Sequence, residues 1–262
     1  MKAPLITLTT DFGLADHFAG TMKGVILGIA PAARIVDISH AIPAFAVTEA
    51  AFVIAQAAPY FPPKTVHVVV VDPGVGTSRR PILVEAMGQY FLGPDNGVLS
   101  MVYTGRPHKA RHITAERYFL REVSRTFHGR DVFAPAAAHL ARGLPPARLG
   151  KRVDDHLKID FGRPVRTGKR AWTGTVLKVD AFGNLITNFH ITEFPHLRSV
   201  RPVMLAGVRI VERLAENYAE AAPGEPVMIV GSSGYLEVAA NQDSAARILG
   251  VGVGAPMELS LY

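Results

Sequence analysis

The fold of this 262-residue chain is decided by residues 65–80, TVHVVVVDPGVGTSRR. Between Val66 and Val71, every residue except His67 is a valine. Such a β-branched run predicts a strand that is buried on both faces of a parallel sheet, because a half-exposed strand would alternate apolar and polar residues. The strand is expected to end at Asp72-Pro73-Gly74, since proline cannot donate to a ladder and glycine permits turn conformations.

Two charged residues follow this strand. Asp72 is predicted to lie at the carboxyl end of a central strand, where open α/β sheets place their ligands. Arg79 comes seven residues later, across a glycine-rich loop. An acid and a base at one mouth of a sheet form a candidate catalytic site. The alternative is a turn that ends the strand and carries an ordinary surface salt bridge.

The rest of the N-terminal part alternates short apolar strands with small-residue helices. A strand at Leu5–Thr9 precedes Asp11, and a helix is predicted over about Phe18–Ala30. His128 lies just before another predicted helix, which is rich in alanine. We therefore predict an α/β domain with a mostly parallel central sheet, residues 1–160.

The composition changes after Gly143. Residues 144–170 hold several prolines and many charges, and they are predicted to form a linker or a long connection. From Trp172 onward, short apolar segments are separated by Gly, Pro and Asn, which is typical of an antiparallel barrel or sandwich. Residues 161–262 are therefore predicted to form a smaller all-β barrel domain.

The composition excludes several classes of protein. The chain has no cysteine, so disulfides, thiolate metal sites and cysteine nucleophiles are excluded. Its net charge of +6 is spread out and is not interleaved with aromatic residues, so no nucleic-acid partner is expected. No apolar run approaches the ~20 residues of a membrane span. With no signal-peptide pattern at the N-terminus, a cytoplasmic location is expected.

Seven short motifs occur in order over nearly the whole chain: LTTDFG, DISH, VDPGVGTSRR, GPDNG, TFHGRD, DAFGN and SSGYLEVAAN. Together they resemble the S-adenosyl-L-methionine (SAM) hydroxide adenosyltransferases, or SAM hydrolases, which are related to the SAM-dependent fluorinase and chlorinase. The resemblance implies an N-terminal α/β domain, a C-terminal β-barrel, and a homotrimer with active sites between subunits. The implied reaction converts SAM and water to adenosine and L-methionine, without a cofactor or a metal.

The resemblance also implies roles for individual residues. The hydrolase catalytic trio falls on Asp72, Arg79 and His128. Asp11 resembles a carboxylate that binds the ribose hydroxyls, and Asp180 resembles the residue that binds the methionine ammonium. The substrate-binding residues implied in this way are Asp11, Phe45, Asp180, Asn184, Ser232, Ser233, Glu237 and Ala239. For Asn184 and Ser233, the alternative is ordinary turn chemistry.

The chain departs from the halogenases at the positions that decide the nucleophile. The halogenases carry a Tyr-Pro-x-Thr-type loop where this chain has Asp72-Pro73-Gly74-Val75, and a Tyr where it has His128. The fluorinase has a halide-contacting Ser at the position of Gly129. Hydroxide is therefore favoured as the nucleophile. Two alternatives stay open: a SAM-dependent halide transferase of the chlorinase type, and a non-catalytic protein that binds a nucleoside or SAM.

The chemistry of the implied reaction fits these residues. A sulfonium leaves as a neutral thioether and needs no general acid, whereas neutral water is a weak nucleophile. Asp72 and His128 are expected to orient the water and accept its proton, while Arg79 stabilises the developing hydroxide. An arginine is too basic to serve as an ordinary base.

Overall fold

The structure is a computed structural model that describes residues 3–262. Two compact units divide the chain: the first ends at Asp160, and the second is Phe161–Tyr262. Each unit is built on one multi-stranded sheet. Every helix in residues 3–262 is too short or too polar to cross a lipid bilayer.

The sheet of the first unit is mixed. Its strands, within the described residues, are β1 (Leu5–Thr10), β2 (Arg34–Ser39), β3 (Val66–Val70), β4 (Pro81–Ala86), β5 (Gln89–Pro94), β6 (His108–His112) and β7 (Arg152–Val153). They are ordered β2-β1-β3-β5-β4-β6-β7. The pairs β2–β1, β1–β3 and β3–β5 are parallel, and the pairs from β5 to β7 are antiparallel.

The prediction of a mostly parallel central sheet is therefore not confirmed. The reason lies in the connection between β4 and β5. Met87 and Gly88 both have positive φ, at 53° and 71°, as a two-residue type I′ hairpin turn requires. Such a turn joins antiparallel strands, so the sheet changes direction at this hairpin.

The central strand β3 is buried on both faces, as its valine run predicts. The helices of this unit are α1 (Phe18–Ile29), α2 (Val47–Ala57), α3 (Ser100–Tyr103) and α4 (Ala134–Ala141), and the π-helical turn Gly129–Phe133 precedes α4. Val66, Val68 and Val70 pack in one apolar cluster with α1 and α4. Val69 and Val71 pack in a second cluster with α2 and α3. The alternation follows from the two-residue period of a strand.

His67 interrupts the valine run and is itself fully buried. Its Nδ1 lies 2.7 Å from the Thr7 hydroxyl on β1, and its ring stacks on Phe91 at 4.7 Å between centroids. Burial lowers the pKa of His67 to about 4, against an opposing contribution from Gln89. His67 is thus a neutral member of the core.

The second unit is a curled half-barrel of mainly antiparallel strands. Its elements are β8 (Val165–Arg166), β9 (Ala171–Val179), β10 (Leu185–His190), β11 (Pro202–Ala206), β12 (Arg209–Val211), β13 (Leu214–Ala215), β14 (Pro226–Val230), β15 (Tyr235–Ala240), α5 (Ala245–Leu249) and β16 (Pro256–Leu261). The strand order is β12-β11-β16-β9-β10-β15-β14-β13, with β8 paired to β9. Among the described strands of this second unit, only β13 and β14 pair in parallel.

Candidate functional site

A cavity of about 280 Å³ opens in the first unit, where the parallel strands β1 and β3 end. Four residues that the sequence singled out line it: Asp11, Phe45, Asp72 and His128. Arg79, a fifth, bonds to two of them. Residues from four separate segments of the chain thus meet at the carboxyl edge of the sheet, as the topology of an open α/β sheet requires.

Arg79 joins the acid and the histidine in one bonded cluster. Its Nε and Nη2 donate to the two oxygens of Asp72, at 3.0 and 2.5 Å, and Nη2 also lies 2.7 Å from His128 Nδ1. The side chains of Arg79 and Asp72 are only 8% and 5% exposed, so this is not a surface salt bridge. Arg79 Nη1 is buried too, and it has no hydrogen-bond partner among residues 3–262.

The contact with Arg79 fixes the tautomer of His128. A guanidinium can only donate hydrogen bonds, so Nδ1 of His128 must accept with its lone pair. A neutral imidazole then carries its proton on Nε2. Burial lowers the pKa of His128, the charge of Arg79 lowers it further, and Asp72 and Asp131 oppose the shift. The cluster therefore holds a neutral histidine whose free ring nitrogen is a donor.

Two glycines shape the loop that carries Arg79. A Cβ on Gly74 would lie 3.3 Å from Cγ of Arg79, so glycine leaves room for the arginine stem. Gly76 has a φ of +77°, and a Cβ there would lie 2.2 Å from the carbonyl oxygen of Arg125. The guanidinium also lies over the ring of Phe133, at 5.7 Å from its centroid. Backbone, ring and carboxylate together hold Arg79 in one orientation.

Asp131 is a site residue that the reasoning from sequence missed. Its side chain is fully buried; it accepts from the Ser124 amide at 2.8 Å and from Arg130 Nε at 2.6 Å. These bonds fix the segment on both sides of His128, and the chain enters α4 there through a π-helical turn, a form that is frequent at functional sites. The signal was present in the sequence, because Asp131 is the last residue of the TFHGRD motif.

Asp11 and Phe45 form a second polar and aromatic group in the same cavity. The amide of Phe45 donates to Asp11 Oδ2 at 3.0 Å. Phe45 has a φ of 67°, which is unusual for an aromatic residue, and its side chain is 69% exposed. The carboxylate thus supports a strained turn that presents an aromatic ring to solvent.

A larger cavity of about 650 Å³ lies in the second unit, and Asp180 and Asn184 are among the residues that line it. Asp180 Oδ1 accepts from the amides of Phe182 and Asn184, and Oδ2 accepts from Asn184 Nδ2, each at 2.9 Å. The side-chain nitrogen of Asn184 therefore donates to Asp180, and its side-chain oxygen can accept a hydrogen bond. Phe182, which is 79% exposed, and Tyr218 also line this cavity, and the sequence reasoning missed both.

Glu237 is a buried acid on β15. Burial raises the pKa of Glu237 to about 7, and the charge of Asp180 raises it further. A Cβ on Gly231 would lie 1.8 Å from a Glu237 carboxylate oxygen, so only glycine leaves room for this acid. Asp180 and Glu237 therefore repel each other when both are ionised.

The remaining predicted residues of the second unit lie beside this acid. Ser232 and Ser233 form the turn between β14 and β15, and neither lines the larger cavity. Ala239 is fully buried in a small apolar cluster and does not line the larger cavity.

Comparison with known proteins identifies both parts of the chain. Residues 6–150 match the SAM hydroxide adenosyltransferase N-terminal domain, and residues 174–258 match the C-terminal domain of the same family. An (R)-S-adenosyl-L-methionine hydrolase from Salinispora tropica is 41% identical over 96% of this chain and 95% of its own length. A fluorinase from Actinoplanes is more distant, at 28% identity over 91% of each chain.

The fold is shared with a solved structure. A conserved protein from Thermotoga maritima superposes with a TM-score of 0.91 and is 38% identical in sequence. The match covers 97% of this chain and 99% of that one.

The tautomer of His128 gives a first testable prediction. Because Arg79 occupies Nδ1, the imidazole should be the Nε2–H tautomer at pH 7, and it should stay neutral until the pH falls below the ordinary histidine value of 6.5. A two-bond ¹H–¹⁵N spectrum of histidine-labelled protein, assigned with His128→Gln, reports both properties. An Nδ1–H tautomer, or titration above pH 6.5, would contradict the arrangement.

Proposed function

This chain belongs to the SAM hydroxide adenosyltransferase family, and on that premise we propose that it hydrolyses SAM to adenosine and L-methionine. The observation that carries the proposal is the buried Asp72–Arg79–His128 cluster at the edge of a cavity. The hydrolase name of relatives at 36–41% identity over nearly the whole chain supports it. We propose that the reaction needs no metal or other cofactor.

The chemical step forms an oxygen–C5′ bond and breaks the C5′–sulfur bond. Sulfur leaves as the neutral thioether of methionine, so the demand on the protein is to activate and place the water. The lone pairs of the Asp72 carboxylate can accept a hydrogen from that water. Arg79 and the Nε2–H of His128 can donate to the developing hydroxide.

This division of work differs from the expectation that His128 also accepts a proton. With Nδ1 bonded to Arg79 and Nε2 protonated, the neutral ring has no free lone pair. We therefore assign the proton-accepting role to Asp72 and a donor role to His128. The pKa of His128, which burial and Arg79 lower, keeps the ring neutral at pH 7.

We assign substrate binding to two groups of residues. In the first unit, the carboxylate of Asp11 can accept from both ribose hydroxyls, and Phe45 offers a ring to pack on the ligand. In the second unit, Asp180 and Glu237 supply negative charge for the ammonium and sulfonium of SAM. Asn184 offers its carbonyl oxygen to the adenine amino group.

Two exposed rings and three small residues complete the second group. Phe182 and Tyr218 offer flat apolar surface for the base. Ser232, Ser233 and Ala239 are assigned as neighbouring residues of the same hairpin. We propose that the protein acts on SAM without a nucleic-acid or membrane partner. We also propose a cytoplasmic location.

The surroundings of Gly129 favour water over halide. A Cβ at this position would lie 3.2 Å from the sulfur of Met22 and 3.3 and 3.4 Å from the rings of Phe127 and Phe12. A serine like that of the fluorinase would require these neighbours to shift. A halide transferase and a non-catalytic binding protein would each give a different result when the products are analysed.

The proposed reaction is tested by mass analysis of the products from purified protein and SAM. We expect adenosine and methionine, with activity that survives a chelator, because Asp72, Arg79 and His128 suffice to activate water. Mainly 5′-chloroadenosine in chloride buffer would identify a halide transferase. Binding of SAM without turnover would identify a non-catalytic protein, and activity lost to a chelator and restored by a divalent ion would contradict the metal-free mechanism.

The division of roles is tested by steady-state kinetics together with direct measurement of SAM binding. Asp72→Asn and Arg79→Lys should lower kcat by about 10²–10³-fold with little change in affinity, because each removes a group that acts on the transition state. Asp11→Asn should instead weaken binding about tenfold, since a ribose contact exists in the ground state as well. Normal turnover with collapsed binding in the first two variants would show that they are binding groups.

We also propose a homotrimer with domains at residues 1–160 and 161–262, whose active sites are shared between the first domain of one subunit and the second domain of its neighbour. The support is that the ligand-binding side chains are divided between two units that each have their own cavity. Sedimentation of active protein should give a trimer. Mixing Asp72→Asn with Asp180→Asn subunits should restore part of the activity, and an active monomer would contradict the proposal.

A further inference from the structure

The DISH motif, residues 37–40, contains a buried histidine, His40. This residue bonds to the turn that carries Asp11, but it does not itself line the cavity of the first unit. His40 follows β2 and is 5% exposed. Its Nδ1 lies 2.7 Å from the hydroxyl of Thr10, the last residue of β1. Its Nε2 lies 3.0 Å from Asp37 Oδ1, and Asp37 Oδ2 accepts from Lys23 Nζ on α1 at 2.5 Å.

The directions of these bonds follow from the chemistry of the end groups. The contact between His40 Nε2 and Asp37 Oδ1 is short but does not have hydrogen-bond geometry. Because a carboxylate oxygen presents only lone pairs, this contact favours a proton on Nε2. The pKa of Asp37 is lowered although burial raises it, because Lys23 and His40 together outweigh burial. With that tautomer Nδ1 of His40 is an acceptor, and the Thr10 hydroxyl donates to it. The Thr10 oxygen in turn accepts from the Phe12 amide at 3.2 Å.

A second bond ties the same histidine to the same turn. The backbone carbonyl of His40 accepts from the Gly13 amide at 2.8 Å. The turn from Thr10 to Gly13 is therefore attached to His40 at both ends, and Asp11 and Phe12 lie in between. The Asp11 carboxylate then supports the Phe45 turn through its bond to the Phe45 amide. The ring of His40 and its backbone carbonyl thus each bond to the turn that carries Asp11.

We propose that His40 is a positioning residue for substrate binding, which acts through the Thr10 hydroxyl to hold the Asp11 carboxylate where it can accept from the ribose hydroxyls of the substrate. This rests on the proposed function, because it takes Asp11 as the ribose ligand. It goes beyond that function by giving the DISH motif a role in affinity and none in the chemical step. Asp72, Arg79 and His128 make no bond to this network in residues 3–262.

The experiment removes the Thr10 hydroxyl and measures binding separately from turnover. Thr10→Val is isosteric but can neither donate to His40 nor accept from Phe12. It should weaken adenosine binding, measured by calorimetry, and raise KM for SAM, each by about tenfold, the effect of losing one hydrogen bond. The kcat should stay within about twofold of the wild type. Thr10→Ser keeps the hydroxyl and should restore the affinity.

The same strand offers a matched control. Thr7 on β1 makes an equivalent bond to a buried histidine, with its hydroxyl 2.7 Å from His67 Nδ1, but it belongs to the core and not to the Asp11 turn. Thr7→Val should lower the melting temperature and leave adenosine affinity unchanged. If the Thr10 bond were merely structural, the two variants would behave alike. Equal adenosine affinity in Thr10→Val and wild type would therefore overturn the proposal.

Two substitutions of His40 test the same idea if Thr10→Val does not fold. Asparagine can place an amide oxygen near the position of Nδ1 and keep the Thr10 bond, whereas glutamine can place its amide nitrogen near Nε2 and keep only the Asp37 contact. His40→Asn should bind adenosine within about threefold of the wild type, and His40→Gln should bind about tenfold more weakly. The reverse order would overturn the proposal. Because adenosine binding is read directly, a chain that binds but does not hydrolyse SAM would refute the function and still test the positioning.

Discussion

The first unit depends on one constraint: the charges of Asp72 and Arg79 are held together with their side chains almost out of contact with water. Burying two ions is costly, and good geometry with paired donors and acceptors offsets that cost. Here two parallel bonds join the carboxylate to the guanidinium and a third runs from Arg79 to His128, while Nη1 of Arg79 is left without a partner among residues 3–262. The strand end, the glycines of the loop and the ring of Phe133 all serve this arrangement. Removing one partner would leave the other charge buried and unpaired.

The central strand explains how such a cluster reaches a cavity. Valines of β3 pack against helices on both faces, and Asp72 lies two residues beyond the end of the strand at Val70. The change from parallel to antiparallel pairing at β5 does not disturb this, since β3 keeps parallel neighbours on both sides. The parallel half of the sheet therefore determines the site. The antiparallel half extends the core away from it.

The sequence predicts those features of the fold and of the site that a local pattern of residues determines. The valine run predicted the doubly buried strand, and the Asp72-to-Arg79 loop predicted a candidate site that the structure brings together. The Met87-Gly88 turn is local, but its effect on the sheet depends on which other strands β4 and β5 pair with, which no local pattern encodes. The bond between Thr10 and His40 joins the last residue of β1 to the residue that follows β2, so neither motif shows it alone. Phe182 and Tyr218 were missed because an exposed aromatic ring has no distinctive spacing.

Two histidines show how the fold controls chemistry without changing residue types. His128 has its tautomer set by Arg79, a neighbour that can only donate, and His40 has its tautomer set by Asp37, a neighbour that can only accept. Both rings end with the proton on Nε2, but the consequences differ. At His128 the proton on Nε2 faces away from the arginine and can be donated to an incoming group. At His40 the proton on Nε2 faces Asp37, and Nδ1 accepts from the Thr10 hydroxyl. The same side chain is therefore a donor for chemistry in one place and an anchor for a binding turn in the other, and the neighbouring charge decides which.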